Sequence, residues 1–155
     1  MQFLREVSIF QDLSDNELLL FNNLFTLREV PAGGKIVAEG APMHEFYVVC
    51  KGTVHVRRMS QKREMLLGRI DAGGFFGEIT LFDQSTASAS VYAMEPVTLA
   101  VAEDAPLREF LEANPAIGYK VLRRLMIETA SRLRQTDERF VRSMYWSSLN
   151  APQRA

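Results

Sequence analysis

A series of glycines divides the middle of the chain into short apolar runs, and this pattern leaves few possible folds. Between Thr26 and Asp104, runs rich in Val, Ile, Phe and Tyr alternate with turn-forming glycines. These glycines are Gly33, Gly34, Gly40, Gly52, Gly68, Gly73 and Gly74. Such runs are short and β-branched, as expected for strands bounded by tight turns. Many short strands at this spacing are typical of a β-sandwich or a jelly roll.

Helical patterns flank the β-rich region on both sides. Ser14 and Glu17 form a capping-box pattern ahead of an apolar run, which predicts a short N-terminal helix. Asp104 is expected to cap a second short helix that has Pro106 in its first turn, and Pro115 opens a longer one. The predicted fold is mainly β with flanking helices. It is a double-stranded β-helix, or jelly roll, with an N-terminal helix and two C-terminal helices, the last one long.

The chain length of 155 residues suits one domain with a sizeable core. We predict this domain over residues 1–140, including the long C-terminal helix, and a tail over residues 141–155. The 15 residues after Phe140 are too few for a helix-turn-helix, so we expect no direct DNA binding. A net charge of −1 and a pI of about 6.1 agree with that expectation.

Apolar and hydroxyl side chains recur along the long helix at alternating spacings of four and three residues. They are Leu122, Met126, Thr129, Leu133, Thr136 and Phe140. This spacing is the seam of a two-stranded coiled coil, and it predicts a homodimer through the C-terminal helix. The alternative is that the same stripe packs on the sandwich of its own chain.

The sequence also bears on where the protein works. Cys50 is the single cysteine, so an intramolecular disulfide is excluded and a reducing compartment fits. It lies in the apolar run "EFYVVCKG", which predicts a small buried hydrophobe. The N-terminus does not resemble a signal peptide, and no apolar stretch approaches the ~20 residues that span a bilayer. We therefore expect a cytoplasmic protein with no membrane association.

Catalysis is not expected from the residue types present. A jelly-roll metalloenzyme needs several histidines and a carboxylate that converge inside the barrel. This chain has only His44, in a predicted loop, and His55, on a strand where it alternates outward. No paired carboxylates, Ser/His/Asp set or Cys/His set is evident. We predict neither a catalytic residue nor a bound metal.

The segment "FFGEITLFDQSTASASV", residues 75–91, has the features of an anion-binding turn in its first half. Gly77 permits a positive φ and a close approach of the backbone. Residues 78–82 can form a single helical turn whose free N–H groups attract an anion. The second half contains small hydroxyl residues where such a site normally presents a cation.

The order of these features resembles the cyclic-nucleotide-binding domain of the catabolite-activator (Crp/Fnr) family. The matching segments are "PAGGKIVAEG" at 31–40, "FYVVCKGTVHV" at 46–56 and, most specifically, "EMLLGRIDAGGFFGEITLF" at 64–82. The resemblance extends from about Phe10 to Arg139, nearly the whole chain. It implies a jelly roll and a ligand site at the Gly77 turn.

The resemblance also implies roles for single residues. Glu78 would accept a hydrogen bond from a ribose hydroxyl, although it could instead cap its own turn, and Ile79 lies beside it. Ser88 corresponds to a small residue that contacts the phosphate. Thr136 corresponds to a hydroxyl that meets the base, or it is simply a polar seam residue. Leu67 would line the base pocket, or it is plain core.

One position departs from the family pattern. The family places an arginine, which pairs with the cyclic phosphate, where this chain has Ala87, and no Lys or Arg occurs between residues 70 and 107. Losing that bidentate contact costs on the order of 3–5 kcal/mol, or roughly two to four decades of affinity. Arg57, Arg58, Lys62 or a basic residue of the long helix could replace it. Strong binding of cAMP or cGMP is therefore not expected, although weak or altered binding is possible.

Two functional hypotheses follow from these residues. The first is a regulatory, non-catalytic ligand-sensing domain with an altered phosphate pocket, which signals by ligand-coupled movement of the C-terminal helices. The alternative is a protein-interaction or dimerisation module with a vestigial pocket that binds no nucleotide. The first depends on the Gly77–Glu78 turn and the second on Ala87. A partner protein is possible in either case.

Overall fold

The computed structural model describes residues 2–83 and 85–149. Two short 3₁₀ helices, Gln2–Glu6 and Ser8–Phe10, come first. The remaining elements in chain order are α1 (Asp15–Asn22), β1 (Thr26–Val30), β2 (Lys35–Val37), β3 (Glu45–Lys51), β4 (Thr53–Ser60), β5 (Arg63–Asp71), β6 (Phe75–Phe76), α2 (Glu78–Asp83), β7 (Ser90–Ala93), β8 (Val97–Glu103), α3 (Asp104–Ala113) and α4 (Pro115–Leu149). The predicted order of an N-terminal helix, a β-rich region and two C-terminal helices is confirmed.

The eight strands of the described chain form two four-stranded antiparallel sheets. One sheet has the order β1-β8-β3-β6 and the other the order β2-β7-β4-β5. The longest pairing joins β4 to β5 through Gln61 and Lys62, which both have positive φ, as a type I′ hairpin turn requires. Strands distant in sequence become neighbours in both sheets, which is the jelly-roll arrangement that the glycine pattern predicted.

Strand β3 is apolar from Phe46 to Cys50 because both of its faces are buried along most of this stretch. Phe46 and Val48 belong to a cluster shared with the helices, whereas Tyr47 and Val49 belong to the cluster between the two sheets. This alternation follows from the two-residue period of a strand. The continuous run "FYVV" is therefore a strand in the middle of a two-layered core. Cys50 follows it half-buried, and burial raises the pKa of its thiol.

Ion pairs attach the N-terminal segment to α4. The Asp12 carboxylate accepts hydrogen bonds from Arg124 at 2.7 Å and from Arg123 at 3.0 Å. The Glu17 carboxylate accepts from the Lys120 Nζ at 2.8 Å, and its predicted capping box with Ser14 is present. Hydrogen bonds from these cations are the main cause of the lowered pKa values of Asp12 and Glu17.

We expect the double variant Asp12→Asn, Glu17→Gln to be less stable than the wild type at pH 7. Both carboxyls have lower pKa values when folded than the ~4 of an unfolded chain, so their stabilisation is complete above pH ~4 and is lost as the pH falls further. The two melting temperatures should therefore converge in acid. Thermal unfolding between pH 7 and pH 2 measures this, with Asp137→Asn as the control. A constant difference in melting temperature at every pH would contradict it.

One capping prediction is wrong. Asp104 is the first residue of α3, and Glu103 holds the extended N-cap conformation with no side-chain cap bond. The reason is that β8 runs directly into α3, so no residue separates strand from helix. The Asp104 carboxylate instead lies 3.4 Å from His44 Nδ1.

The long helix presents two different faces. Ile117, Val121 and Leu125 are buried against the N-terminal segment and α3. The predicted seam is exposed, with Met126 at 69% and Leu133 at 61%, so it does not pack on the sandwich of its own chain. The helix also continues through residues 141–149, where a tail was predicted; residues 150–155 lie outside the described structure.

The described residues contain neither a membrane-spanning helix nor a cluster of metal ligands. None of their helices has the length and apolar character needed to cross a bilayer. No group of three or more His, Cys, Asp or Glu side chains among them is placed to hold a metal ion.

Candidate functional site

The turn between β6 and α2 has the predicted geometry. Gly77 has a φ of 88°, and a Cβ at this position would lie 2.6 Å from Met43 Cε and 2.7 Å from the Glu45 carbonyl oxygen. Only glycine avoids both the backbone strain and these overlaps. The chain can therefore pass tightly over β3 and start α2 at Glu78.

A cavity of about 170 Å³, here called the inner cavity, opens beside this turn. Five predicted site residues line it: Gly77, Glu78, Ile79, Ala87 and Ser88. They come from two segments that are separated in sequence and meet because β7 pairs with β2 and β4. The structure thus brings together the part of the site that the family resemblance implied.

Ala87 is held rigidly by its backbone. Its N–H donates to the Ala41 carbonyl at 2.9 Å, and its carbonyl accepts from the Gly40 N–H at 2.8 Å. The residue is 5% exposed and lines the inner cavity. The backbone is therefore held in place at the position where the family has an arginine, but the side chain there is a methyl group.

A cation reaches the inner cavity from α4. Arg132 Nη1 donates to Glu78 Oε1 at 2.8 Å and Nη2 donates to the Phe75 carbonyl at 3.2 Å. The guanidinium carbon lies 4.5 Å from the centre of the Phe75 ring, a cation–π distance. Among the described residues, Arg132 is the one Lys or Arg that lines this cavity.

The sequence pattern indicated that a basic residue of the long helix could replace the missing arginine, but it did not single out Arg132. One available signal was its position four residues before Thr136, since side chains at this spacing share a helix face. Of the other proposed replacements, Lys62 does not line the inner cavity, and Arg57 and Arg58 have different partners. Arg57 pairs with Glu64 at 3.1 Å and Arg58 with Glu39 at 3.4 Å, and neither lines the inner cavity.

A second cavity of about 550 Å³, the outer cavity, lies between β5 and α4. Leu67 and Thr136 line it, together with Arg69, Glu128 and Arg139. It shares lining residues with the inner cavity, namely Val56, Ile70 and Arg132. The two cavities are therefore adjoining parts of one cleft, and Arg132 stands at their junction.

The structure bears differently on the two alternatives given for Leu67, plain core, and for Thr136, a polar seam residue. Leu67 is 48% exposed, so it is not plain core. The Thr136 hydroxyl donates to the Arg132 carbonyl at 2.9 Å, the usual bond of a helical threonine to the preceding turn. Its oxygen can still accept a hydrogen bond from a ligand.

Contacts connect the turn to the C-terminal helices. Arg108 of α3 donates from Nη1 to the Leu81 carbonyl of α2 at 2.9 Å. The Phe110 ring packs edge-on against Phe21, with centroids 5.2 Å apart. The Arg108–Leu81 hydrogen bond and the Arg132–Glu78 pair mean that a shift of α2 changes the surroundings of both α3 and α4, whereas the Phe110 contact joins α3 to α1.

The fold and the cleft define a class of protein: a jelly-roll domain with a Gly-Glu turn beside a cavity that a C-terminal helix closes. The family model for the cyclic nucleotide-binding domain matches residues 27–114. This chain belongs to the cyclic nucleotide-binding domain family. The family assignment made from residues 31–40, 46–56 and 64–82 is confirmed.

Curated relatives include regulators of two kinds. The chain is 30% identical over 92 residues to a cAMP-dependent protein kinase regulatory subunit of Mycosarcoma maydis, covering 59% of this chain and 18% of that protein. It is 28% identical over 137 residues to a CRP-like cAMP-activated global transcriptional regulator of Mycobacterium tuberculosis, covering 88% and 59%. The chain therefore spans less than two thirds of each of these relatives.

Solved structures agree with this assignment. A cyclic nucleotide-binding domain from Methylobacillus flagellatus kt superposes with a TM-score of 0.82 at 25% identity, covering 92% of this chain and 80% of that one. The Thermus thermophilus catabolite activator protein superposes with a TM-score of 0.78 at 27% identity, covering 89% and 63%. The expected jelly-roll class is confirmed.

Proposed function

We propose that this chain is a regulatory, non-catalytic ligand-sensing domain with an altered phosphate pocket. The single observation that carries the proposal is the Arg132–Glu78 pair, which joins the ligand-site turn to the long C-terminal helix. The membership of the chain in a family whose relatives are regulators supports it.

A cyclic nucleotide fits part of the site. Gly77 gives the backbone the tight turn, Glu78 is the acceptor for a ribose hydroxyl, and Ser88 can donate to a phosphate. Ala87 does not fit, because it supplies no cation at the position where the family's arginine pairs with the buried phosphate, and the cation that lines the inner cavity, Arg132, comes from α4 instead. Glu78 is also engaged, since Arg132 already donates to its carboxylate. Cyclic AMP or cyclic GMP is thus a weak ligand of this domain.

Signalling would follow from competition at Glu78. A ligand hydroxyl that donates to this carboxylate competes with Arg132 for the same acceptor. Binding then changes the free energy of holding α4 against the turn, and a ligand shifts an equilibrium only through such differential contacts. The Arg108–Leu81 hydrogen bond gives α3 a second connection to the same turn. The C-terminal helices therefore transmit the binding signal.

Isothermal titration with cAMP, cGMP and cyclic dinucleotides tests the proposal. We expect binding that is measurable but weak, about millimolar, because the family's main phosphate contact is missing. Glu78→Gln should weaken it further. No heat with any of these ligands, together with no change in hydrogen exchange along α4, would count against a sensing role.

A homodimer through α4 is part of this proposal. Leu122, Met126, Leu133 and Phe140 form an exposed apolar stripe, and Met144, one helical turn beyond Phe140, is also exposed. An exposed apolar stripe of this length on a helix is typical of an interaction surface. The stripe lies next to the cleft face of α4, since Thr136 belongs to both, so a dimer would sense movement of α4.

Leu133→Glu is expected to weaken the dimer at least about 100-fold, because each subunit would bring an unpaired carboxylate into the apolar seam. Sedimentation equilibrium or light scattering measures the change. Arg142→Glu is the matched control, since it adds the same residue on another face of α4. Wild type that remains monomeric at high concentration would contradict the dimer and leave the sensing role intact.

The second candidate function is a protein-interaction module with a vestigial pocket. Ala87 favours it, because it removes the principal ligand charge. In that case the Arg132–Glu78 pair is a structural brace for α4. The two candidates make opposite predictions for an arginine at position 87.

A further inference from the structure

The apolar and charged groups of the cleft are concentrated in different cavities. A site that receives a phosphate needs charge in the inner cavity, but here that cavity is mainly apolar. The inner cavity is lined mainly by apolar side chains, including Val37, Met43, Phe76, Ala89 and Val91. Among the described residues, two charged side chains line it, Glu78 and Arg132, whereas five line the outer cavity. The deep end of the cleft is therefore suited to an apolar group.

The size of the inner cavity supports the same conclusion. A cavity of roughly 150 Å³ with apolar walls accommodates benzene. The inner cavity, at about 170 Å³, is of that size. A single six-membered ring or a short branched chain fills it, whereas a phosphate placed there has apolar walls on most sides.

The donor for an anion lies at the junction of the two cavities. A guanidinium has five N–H donors, and Arg132 uses one each from Nη1 and Nη2 for Glu78 and the Phe75 carbonyl. These two bonds and the Phe75 ring orient the group, while its side chain remains 41% exposed. Arg132 can therefore donate to a ligand carboxylate without giving up its position.

The outer cavity adds a second cation. Arg139 lines it and, within the described part of the chain, has no carboxylate partner. Of the carboxylates that line the same cavity, Asp71 is occupied by Arg69 at 2.7 Å, and Glu128 lies on α4 itself. An anionic group near Arg132 and Arg139 thus has an electrostatic advantage that the inner cavity does not offer.

From these observations we propose that the cleft binds a small organic carboxylate, with its ring or branched apolar body in the inner cavity and its carboxylate on Arg132. The orientation is the reverse of a cyclic nucleotide whose phosphate enters the barrel. This assignment rests on the proposed sensing function and specifies its ligand class.

The test compares three probes on the full chain by NMR titration. Phenylacetate has both the apolar ring and the carboxylate. Phenylacetamide lacks the charge, and acetate lacks the ring. We expect saturable binding of phenylacetate, binding of phenylacetamide about tenfold or more weaker, and none for acetate. Equal binding of the amide, or no binding of phenylacetate, would overturn the inference.

Variants test the placement. Arg132→Gln should weaken phenylacetate about tenfold to a hundredfold, the range for a lost charge-assisted contact. Arg134→Gln, which removes the same charge from another face of α4, should leave it unchanged. Ala87→Leu should abolish binding by filling the inner cavity, with circular dichroism reporting whether it folds. Binding unaffected by both Arg132→Gln and a folded Ala87→Leu would overturn the placement.

Failure of this inference is distinguishable from failure of the sensing function. If cAMP binds the wild type more tightly than phenylacetate, the ligand class is wrong and the sensing role stands. If neither cyclic nucleotides nor phenylacetate bind, both fail.

Discussion

Replacing Ala87 by arginine is expected to tighten the binding of cAMP by about two to four orders of magnitude. The backbone at residue 87 is already held by the hydrogen bonds to Gly40 and Ala41, so the new side chain starts from a defined position. It would enter the inner cavity and present two N–H donors to a phosphate beside Gly77. The gain is large because the phosphate is buried there, where a charge-assisted pair is strong.

The measurement is a calorimetric titration of cAMP into wild type and Ala87→Arg at the same ionic strength. Ser85→Arg is the matched control, because it adds the same charge to the same loop at an exposed position that does not line the inner cavity. The Ala87→Arg variant should also lose phenylacetate binding, since its side chain occupies the inner cavity. If cAMP affinity does not rise, the pocket cannot form around a phosphate and the interaction-module function is favoured.

Gly77→Ala is expected to lower the free energy of unfolding by about 2–4 kcal/mol and to abolish ligand binding at the turn. An L-residue with a φ of 88° is strained. The added Cβ would also overlap Met43 Cε and the Glu45 carbonyl oxygen. Met43 can move, but the Glu45 carbonyl belongs to β3, which pairs with β6 and β8. Relief of the overlap therefore displaces the turn or the sheet.

Gly33→Ala is the control that separates the cost of backbone strain from the cost of steric overlap. Gly33 has a φ of 77°, but a Cβ there would have no heavy atom within 4 Å apart from those of its chain neighbours. Its cost is therefore backbone strain alone, about 1–2 kcal/mol. Chemical denaturation of both variants measures the difference. Equal destabilisation would mean that the close approach of the Gly77 turn to β3 does not contribute to stability.

Much of the fold could be predicted because it depends on local signals. The capping box at Ser14 and Glu17, the turn at Gly77 and the helix after Pro115 all arise from residues within a few positions of one another. Asp104 was wrongly predicted as a cap because the local pattern does not reveal that β8 and α3 are continuous. That continuity is a property of the sheet, in which β8 pairs with both β1 and β3.

The candidate site, like the fold, could be predicted from the sequence only in part. Gly77, Glu78, Ile79, Ala87 and Ser88 could be placed at one site because a family pattern covers that segment, and the structure gathers them around one cavity. Leu67 and Thr136 lie in the adjoining outer cavity. No pattern in the sequence indicates that the two cavities meet, because their shared lining comes from β4, β5 and α4.

By itself, the sequence determined the fold family, the tight turn at Gly77 and the absence of an arginine at position 87, since each depends on residue type at a known spacing. The tertiary structure alone decided which cation lies beside the site. Arg132 is 54 residues from Glu78 in sequence and pairs with it only because α4 folds back across the turn. That pairing places a charged pair beside the inner cavity, whose other walls are mainly apolar.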